Sequence, residues 1–209
     1  MTELLGLPDY YDDLELSFEE AWGLVEGGIT NRHSPAHMPA VGTVDEMGAP
    51  QLRIMVLRDL SRSARLIRFH TDARSIKAEH IRQNAAAGVL IYDPSAKVQI
   101  RFSGRSRVVM QGEIADAAWS TSTPFARRCY MADAAPGTVS AHPSSGLPEW
   151  IQGKQPDETQ LEDYRPNFAA LLVEVETIEW LYLANAGHRR ARWQWSEAHN
   201  SWQGNWLVP

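Results

Sequence analysis

Between Arg53 and Arg107 the sequence places ten Arg and two Lys against four acids (Asp59, Asp72, Glu79 and Asp93), a formal +8 in a chain whose total is -6. The rest of the chain carries 8 basic and 22 acidic residues, or -14. Two strand-like runs in the basic stretch, Leu52–Arg58 and Lys97–Arg107, present Arg and Gln. Between them Asp72-Ala73-Arg74-Ser75-Ile76-Lys77 reads as a helix start. A helix N-terminus offers free N–H groups and the positive end of a dipole, so with Thr71, Ser75 and Lys77 beside it this segment suits a phosphate. Arg suits the same ligand because its planar fork grips phosphate through two hydrogen bonds. The alternative from composition is a solvated basic face that balances the acidic termini.

Other chemistries lose support. The sequence has no Walker loop, no GxGxxG and no GxSxG, which argues against a P-loop, a dinucleotide-binding Rossmann site and a serine-hydrolase elbow. His33 and His37 are four apart, but Pro35 between them keeps them off one helical face, so no metal site is assigned. The single Cys129 excludes an internal disulfide and any multi-Cys metal site, and no partner marks it as a nucleophile. No catalytic side chain is assigned. The Arg residues alternate along strands between acidic flanks, which speaks against nucleic acid. The longest apolar runs, such as Ile54–Leu57, fall far short of the roughly 18 residues of a membrane span. The first 31 residues hold eight acids and no Lys or Arg, so no secretory signal is expected and a cytoplasmic location is.

Hydrophobic period gives the secondary structure around these residues. Residues 1–16 read as an acidic lead-in, and 17–209 as one domain. Ser17-Phe18-Glu19-Glu20 looks like a capping box opening a helix through Ile29. Strands are expected at Met38–Asp45, Gln51–Arg58, Arg65–Thr71, Ala87–Tyr92 and Lys97–Val109, with a short helix over Asp72–Asn84. The stretch at about 112–165 is rich in Ala, Ser, Pro and Gly and reads as a loop-rich insertion with short helices. Strands return at Phe168–Glu174, Glu179–Ala184, Ala191–Ser196 and Ser201–Val208. Many short strands with peripheral helices predict an α+β, mainly β, antiparallel barrel-like domain. Trp193, Trp195, Trp202 and Trp206, evenly spaced, are expected to pack the barrel or an interface.

The order Arg53-Ile54-Met55-Val56-Leu57-Arg58, Phe69-His70-Thr71-Asp72, Ser75-Ile76-Lys77-Ala78, and Gln99 before Gly104 resembles pyridoxamine 5'-phosphate oxidase. Trp180, Arg192-Trp193 and the Trp-rich ending fit as well. Trp119-Ser120-Thr121-Ser122-Thr123-Pro124, Arg127-Arg128 and Pro136-Gly137 resemble the Alr4036-like branch of related FMN-binding proteins. The resemblance implies an FMN-binding split β-barrel homodimer, with FMN at the subunit interface and a small-molecule substrate. It implies that Arg53 and Lys77, assisted by Ser75, bind the FMN phosphate. Ile54, Met55, Val56 and Leu57 would run beside the flavin, followed by Arg58. His70 and Thr71 stand where the family has Tyr-Thr, Gln99 would meet the ring edge, and Trp180 and Arg192 would arrive from the C-terminal strands. An Arg at that edge would stabilise the negative charge that reduction creates.

Departures bear on the substrate. The family's Ser-Arg-Lys is Ser75-Ile76-Lys77, with Arg74 as a possible replacement for the missing Arg. Arg58 replaces a Lys, Pro124 stands where the oxidase has a substrate-binding Tyr, and His188-Arg189-Arg190 does not reproduce its Arg-x-His. The expectation is therefore an FMN-dependent oxidoreductase. The alternative is a flavin or vitamin B6 phosphate carrier without turnover.

Overall fold

A computed structural model describes residues 6–209. Its core is a nine-stranded antiparallel sheet in the order β2-β1-β5-β6-β7-β4-β3, with β8 pairing β7 and β9 pairing β8. The strands are β1 (Ala40–Val44), β2 (Pro50–Ile54), β3 (Asp59–Ser61), β4 (Leu66–Asp72), β5 (Ala86–Asp93), β6 (Val98–Val109), β7 (Phe168–Tyr182), β8 (Arg189–Ser196) and β9 (Ser201–Leu207). The helices are α1 (Leu14–Thr30), α2 (Ile76–Gln83), α3 (Glu113–Ser120), α4 (Pro124–Arg127) and α5 (Glu158–Glu162). Among the described residues no helix is long and apolar enough to cross a membrane.

β7 is the spine. Its first half pairs β4, its second half pairs β8, and β6 runs along both. The two strands expected at 168–174 and 179–184 are therefore one, because Val175 and Ile178 stay buried and carry the apolar pattern across the gap. The bend lies at Ser103/Gly104, where the β6–β7 register shifts and Glu176 gains no partner. A Cβ on Gly104 would sit 1.9 Å from the Glu174 carbonyl oxygen, so only glycine fits.

Helix α1 starts earlier than its sequence suggests. Asp13 is the cap, accepting from the Glu15 and Leu16 N–H groups at 2.9 Å. Ser17 lies inside the helix, buried, and donates back to the Tyr10 and Asp13 carbonyls. Nor are residues 9–13 merely a lead-in. Tyr11 is buried and donates to the Gly187 carbonyl at 2.6 Å. Residues 1–5 of that lead-in lie outside the described residues.

The central core joins Trp22 and Val25 of α1 to Val41, Val89, Ile100, Phe102, Val173 and Ile178 of the sheet. The 112–165 segment brings its own apolar clusters. Tyr130 and Ala118 pack with Phe168, Ala170 and Leu172 of β7 in one, and Met131, Ile151 and Leu161 form the other.

Candidate functional site

On β2 the side chains alternate, with Leu52 and Ile54 exposed and Arg53 turned to the other face. Arg53 lies opposite Val41 of β1, and its Nη1 donates to the Thr43 hydroxyl at 2.8 Å and the Val41 carbonyl at 3.3 Å. Lys77, in the first turn of α2, donates from Nζ to the Thr71 hydroxyl at 3.0 Å. Burial depresses the basicity of Lys77, and the neighbouring Arg53 adds to it while Asp72 opposes. Arg53 is lowered by burial as well. Among the described residues neither cation has a carboxylate ion-pair partner, whereas Arg62, Arg65, Arg68, Arg74 and seven further arginines do. Two neighbouring, partly desolvated cations with no carboxylate in direct contact are raised in energy by each other's field, only partly offset by Asp72, and an anion between them removes that cost. The pair therefore fits the phosphate of FMN.

Around this pair the other expected residues divide. Thr71 is buried, its hydroxyl 3.3 Å from that of Ser75. Ser75 is also buried and donates to the Asp72 carbonyl at 2.7 Å, while no side chain caps α2. Arg74 does not replace the missing family Arg. It is bound to the Asp72 carboxylate at 2.8 Å and to the Ala132 carbonyl at 3.0 Å, so it ties the start of α2 to the 132–133 loop. Met55 and Leu57 bury their side chains and donate through backbone N–H to the Pro39 and His37 carbonyls. Val56 is half-buried and Arg58 exposed.

His70 lies edge-on to Phe168 at 4.9 Å, with Nδ1 3.5 Å from the Ser122 hydroxyl. Its Nε2 is enclosed without a partner among the described residues. Burial first, then Arg58 and Arg68, push its pKa down to about 3, so the imidazole is neutral across ordinary pH.

Gln99 and Arg192 belong to the opposite face of the sheet. Gln99 registers with Tyr92 and Leu181, and Arg192 with Glu179 and Asn205. Arg101 and Arg190 share that face and both bind Glu179, at 3.0 and 2.6 Å. Trp180 is not with them. It registers with Ile100 and Ala191, is fully buried, and stacks on Tyr182 with ring centroids 6.0 Å apart. Neighbouring strand residues point to opposite faces, so the parity that sets Glu179 on the outer face encloses Trp180. In a single chain Trp180 therefore sits in the core, its indole Nε1 enclosed without a partner among the described residues. Nothing in the local sequence marks Glu179, Arg101, Arg190 or Thr43 as site residues. Their signal is cross-strand register, which no local pattern carries.

A single chain leaves Arg53 and Lys77 on one face and Gln99 and Arg192 on the other. The second face also exposes Leu52, Ile54, Leu90 and Tyr92. Ala40, Gly42 and Gly88 form the floor of a hollow of about 150 Å³ there, rimmed by Leu52, Leu90 and Arg101.

Residues 20–110 match the family model described as pyridoxamine 5'-phosphate oxidase, FMN-binding domain. A pyridoxine/pyridoxamine 5'-phosphate oxidase of Ruegeria sp. (strain TM1040) is 27% identical over 224 aligned positions that cover 100% of both chains. One from Bdellovibrio bacteriovorus is 25% identical over 188, covering 86% of this chain and 90% of the relative. In structure, a pyridoxamine 5'-phosphate oxidase-related, FMN binding protein from Nostoc punctiforme PCC 73102 superimposes with a TM-score of 0.72 at 22% identity, covering 98% of this chain and 100% of that one. PhzG from Burkholderia lata 383, in complex with tetrahydrophenazine-1-carboxylic acid, gives 0.70 at 19%, covering 98% of each. These two likenesses bear out the split β-barrel expected from the sequence.

Proposed function

We propose that this chain, which through residues 20–110 belongs to the pyridoxamine 5'-phosphate oxidase FMN-binding domain family, is an FMN-dependent oxidoreductase acting on a small organic substrate as a homodimer. The observation that carries the cofactor reading is the unpaired cation pair Arg53 and Lys77, which gives the FMN phosphate two charge-assisted hydrogen-bond donors. Thr43 and Thr71 hold those donors in place. Bound FMN supplies a two-electron acceptor, so the protein's task is to bind, orient and polarise it. Gln99 and Arg192 suit the polar edge of its ring, where a fixed cation and an amide can meet developing negative charge.

The homodimer rests on the division of the site between two faces. If a second copy covers the face with Leu52, Ile54, Leu90 and Tyr92, one chain's Gln99 and Arg192 can meet the other's Arg53 and Lys77, and exposed apolar surface is buried. The relatives named as oxidases support turnover. The carrier reading draws on Pro124 and on His188-Arg189-Arg190, where the oxidase's substrate-binding residues are not reproduced.

An absorption spectrum of the purified protein, followed by anaerobic addition of pyridoxamine or pyridoxine 5'-phosphate and other candidate donors, tests the reading. A flavin spectrum that bleaches with a donor, and peroxide formed on readmitting O2, is the expected result. A flavin spectrum that no donor bleaches favours the carrier. A colourless protein that refuses added FMN sinks both.

A further inference from the structure

The outer face of β6, β7 and β8 carries one carboxylate among three arginines. Glu179 sits on β7 between Arg101 of β6 and Arg192 of β8, in direct register with both. Its Oε1 accepts from Arg101 at 3.0 Å and its Oε2 from Arg190 at 2.6 Å. Both oxygens are thus engaged. Arg192, its cross-strand neighbour, has no side-chain hydrogen bond or ion pair among the described residues. Directly opposed side chains on adjacent strands are about 5 Å apart at Cβ, so Glu179 would take Arg192 if its other two partners released it.

We infer that Glu179 is a positioning residue for the flavin's ring edge. By holding Arg101 and Arg190 it leaves Arg192 uncommitted among the three arginines around it, and it sets the charge of this cluster at two positives net. The inference rests on the FMN reading above, since it gives the network a ligand to act upon. A cross-strand ion pair of purely structural use would contribute to sheet stability and leave the flavin's electronics alone.

The two roles separate in one quantity, the ratio of dissociation constants for oxidised and reduced FMN. Two-electron reduction with uptake of one proton adds a negative charge to the ring, so a cation nearby favours the reduced form and a carboxylate disfavours it. Glu179→Gln removes a negative charge and is expected to raise the preference for reduced FMN about tenfold, equivalent to a potential ~30 mV more positive for a two-electron couple. Arg190→Gln frees a Glu179 oxygen to capture Arg192 and is expected to shift the ratio several-fold the other way. Opposite shifts in the two variants support the inference. FMN-loaded variants that both keep the wild-type ratio overturn it, whatever their melting temperatures do. Should Glu179→Gln fail to fold, Arg190→Gln decides alone. Wild-type protein that binds no FMN overturns the reading underneath, which is a different failure.

Discussion

Arg53 of β2 with Lys77 at the start of α2, and Arg127 with Arg165 in the 112–165 segment, are all partly or fully buried cations, yet among the described residues only the second pair is matched to carboxylates. Arg127 makes a two-pronged contact with Glu158 at 2.6 and 2.8 Å and lies 5.1 Å from the Trp119 ring centre. Arg165 binds Asp116 at 2.7 Å and the Met110 carbonyl at 3.0 Å. Those contacts fasten the insertion to itself and to the end of β6. Arg53 and Lys77 are held by hydroxyls and a carbonyl, which position a cation without neutralising it. Composition makes the four residues look alike. What distinguishes a binding cation from a structural one is whether the fold has already spent its charge.

That contrast can be broken by mutation. The largest expected effect is on ligand binding. Replacing both Arg53 and Lys77 with Ala removes two charge-assisted contacts of ~1.5–3 kcal/mol each, a loss in FMN affinity of roughly 100-fold or more. Melting temperature should hold or rise, because two mutually repelling cations are gone. A fall in stability comparable to that of a core mutation would mean that the pair is structural.

Arg127→Ala is the mirror image. Its side chain is 5% exposed and its partner Glu158 68% exposed, so the loss is mainly packing on Trp119 plus a partly screened ion pair. A destabilisation of ~2 kcal/mol by chemical denaturation is expected, with FMN affinity changed less than threefold. Loss of FMN at unchanged stability would place the insertion's arginines at the site instead.

His70 offers the most specific effect, confined to acid pH. Its folded pKa of about 3 lies below the ordinary 6.5. The unfolded chain therefore binds more protons between these values, and the stability present above pH 6.5 is lost as pH falls toward 3. The slope is at most ~1.4 kcal/mol per pH unit from this group. Denaturation of His70→Gln across that range should show a shallower acid limb than wild type. Parallel limbs would show that the imidazole is not held neutral by the fold.

Much of this architecture is legible in the sequence, for stated reasons. Alternation of Val98, Ile100 and Phe102 with Gln99, Arg101 and Ser103 gives β6 and its two faces directly. The order of Arg53, Ser75, Lys77 and Gln99 predicts an anion site flanked by strands, and the structure brings Lys77 within the field of Arg53. What stays hidden depends on register. Whether Trp180 or Glu179 faces out is settled by pairing with Ile100 and Ala191, and a slip of one residue would reverse it. Arg74 looks available by position, and only the return of the 132–133 loop shows that it is engaged. Likewise Ser17 reads as the cap, and only its burial against Tyr10, with Asp13 accepting from the Glu15 N–H, shows that the helix starts earlier.

The central claim is that Arg53 and Lys77 read a phosphate. Titrating the wild-type protein and the Arg53→Ala/Lys77→Ala variant with FMN and with riboflavin tests it most directly, because the two ligands share a ring and differ in that group. The account predicts that wild type prefers FMN by roughly 100-fold or more and that the variant nearly loses the preference while keeping its weaker affinity for riboflavin. Equal preference in the two proteins would contradict it.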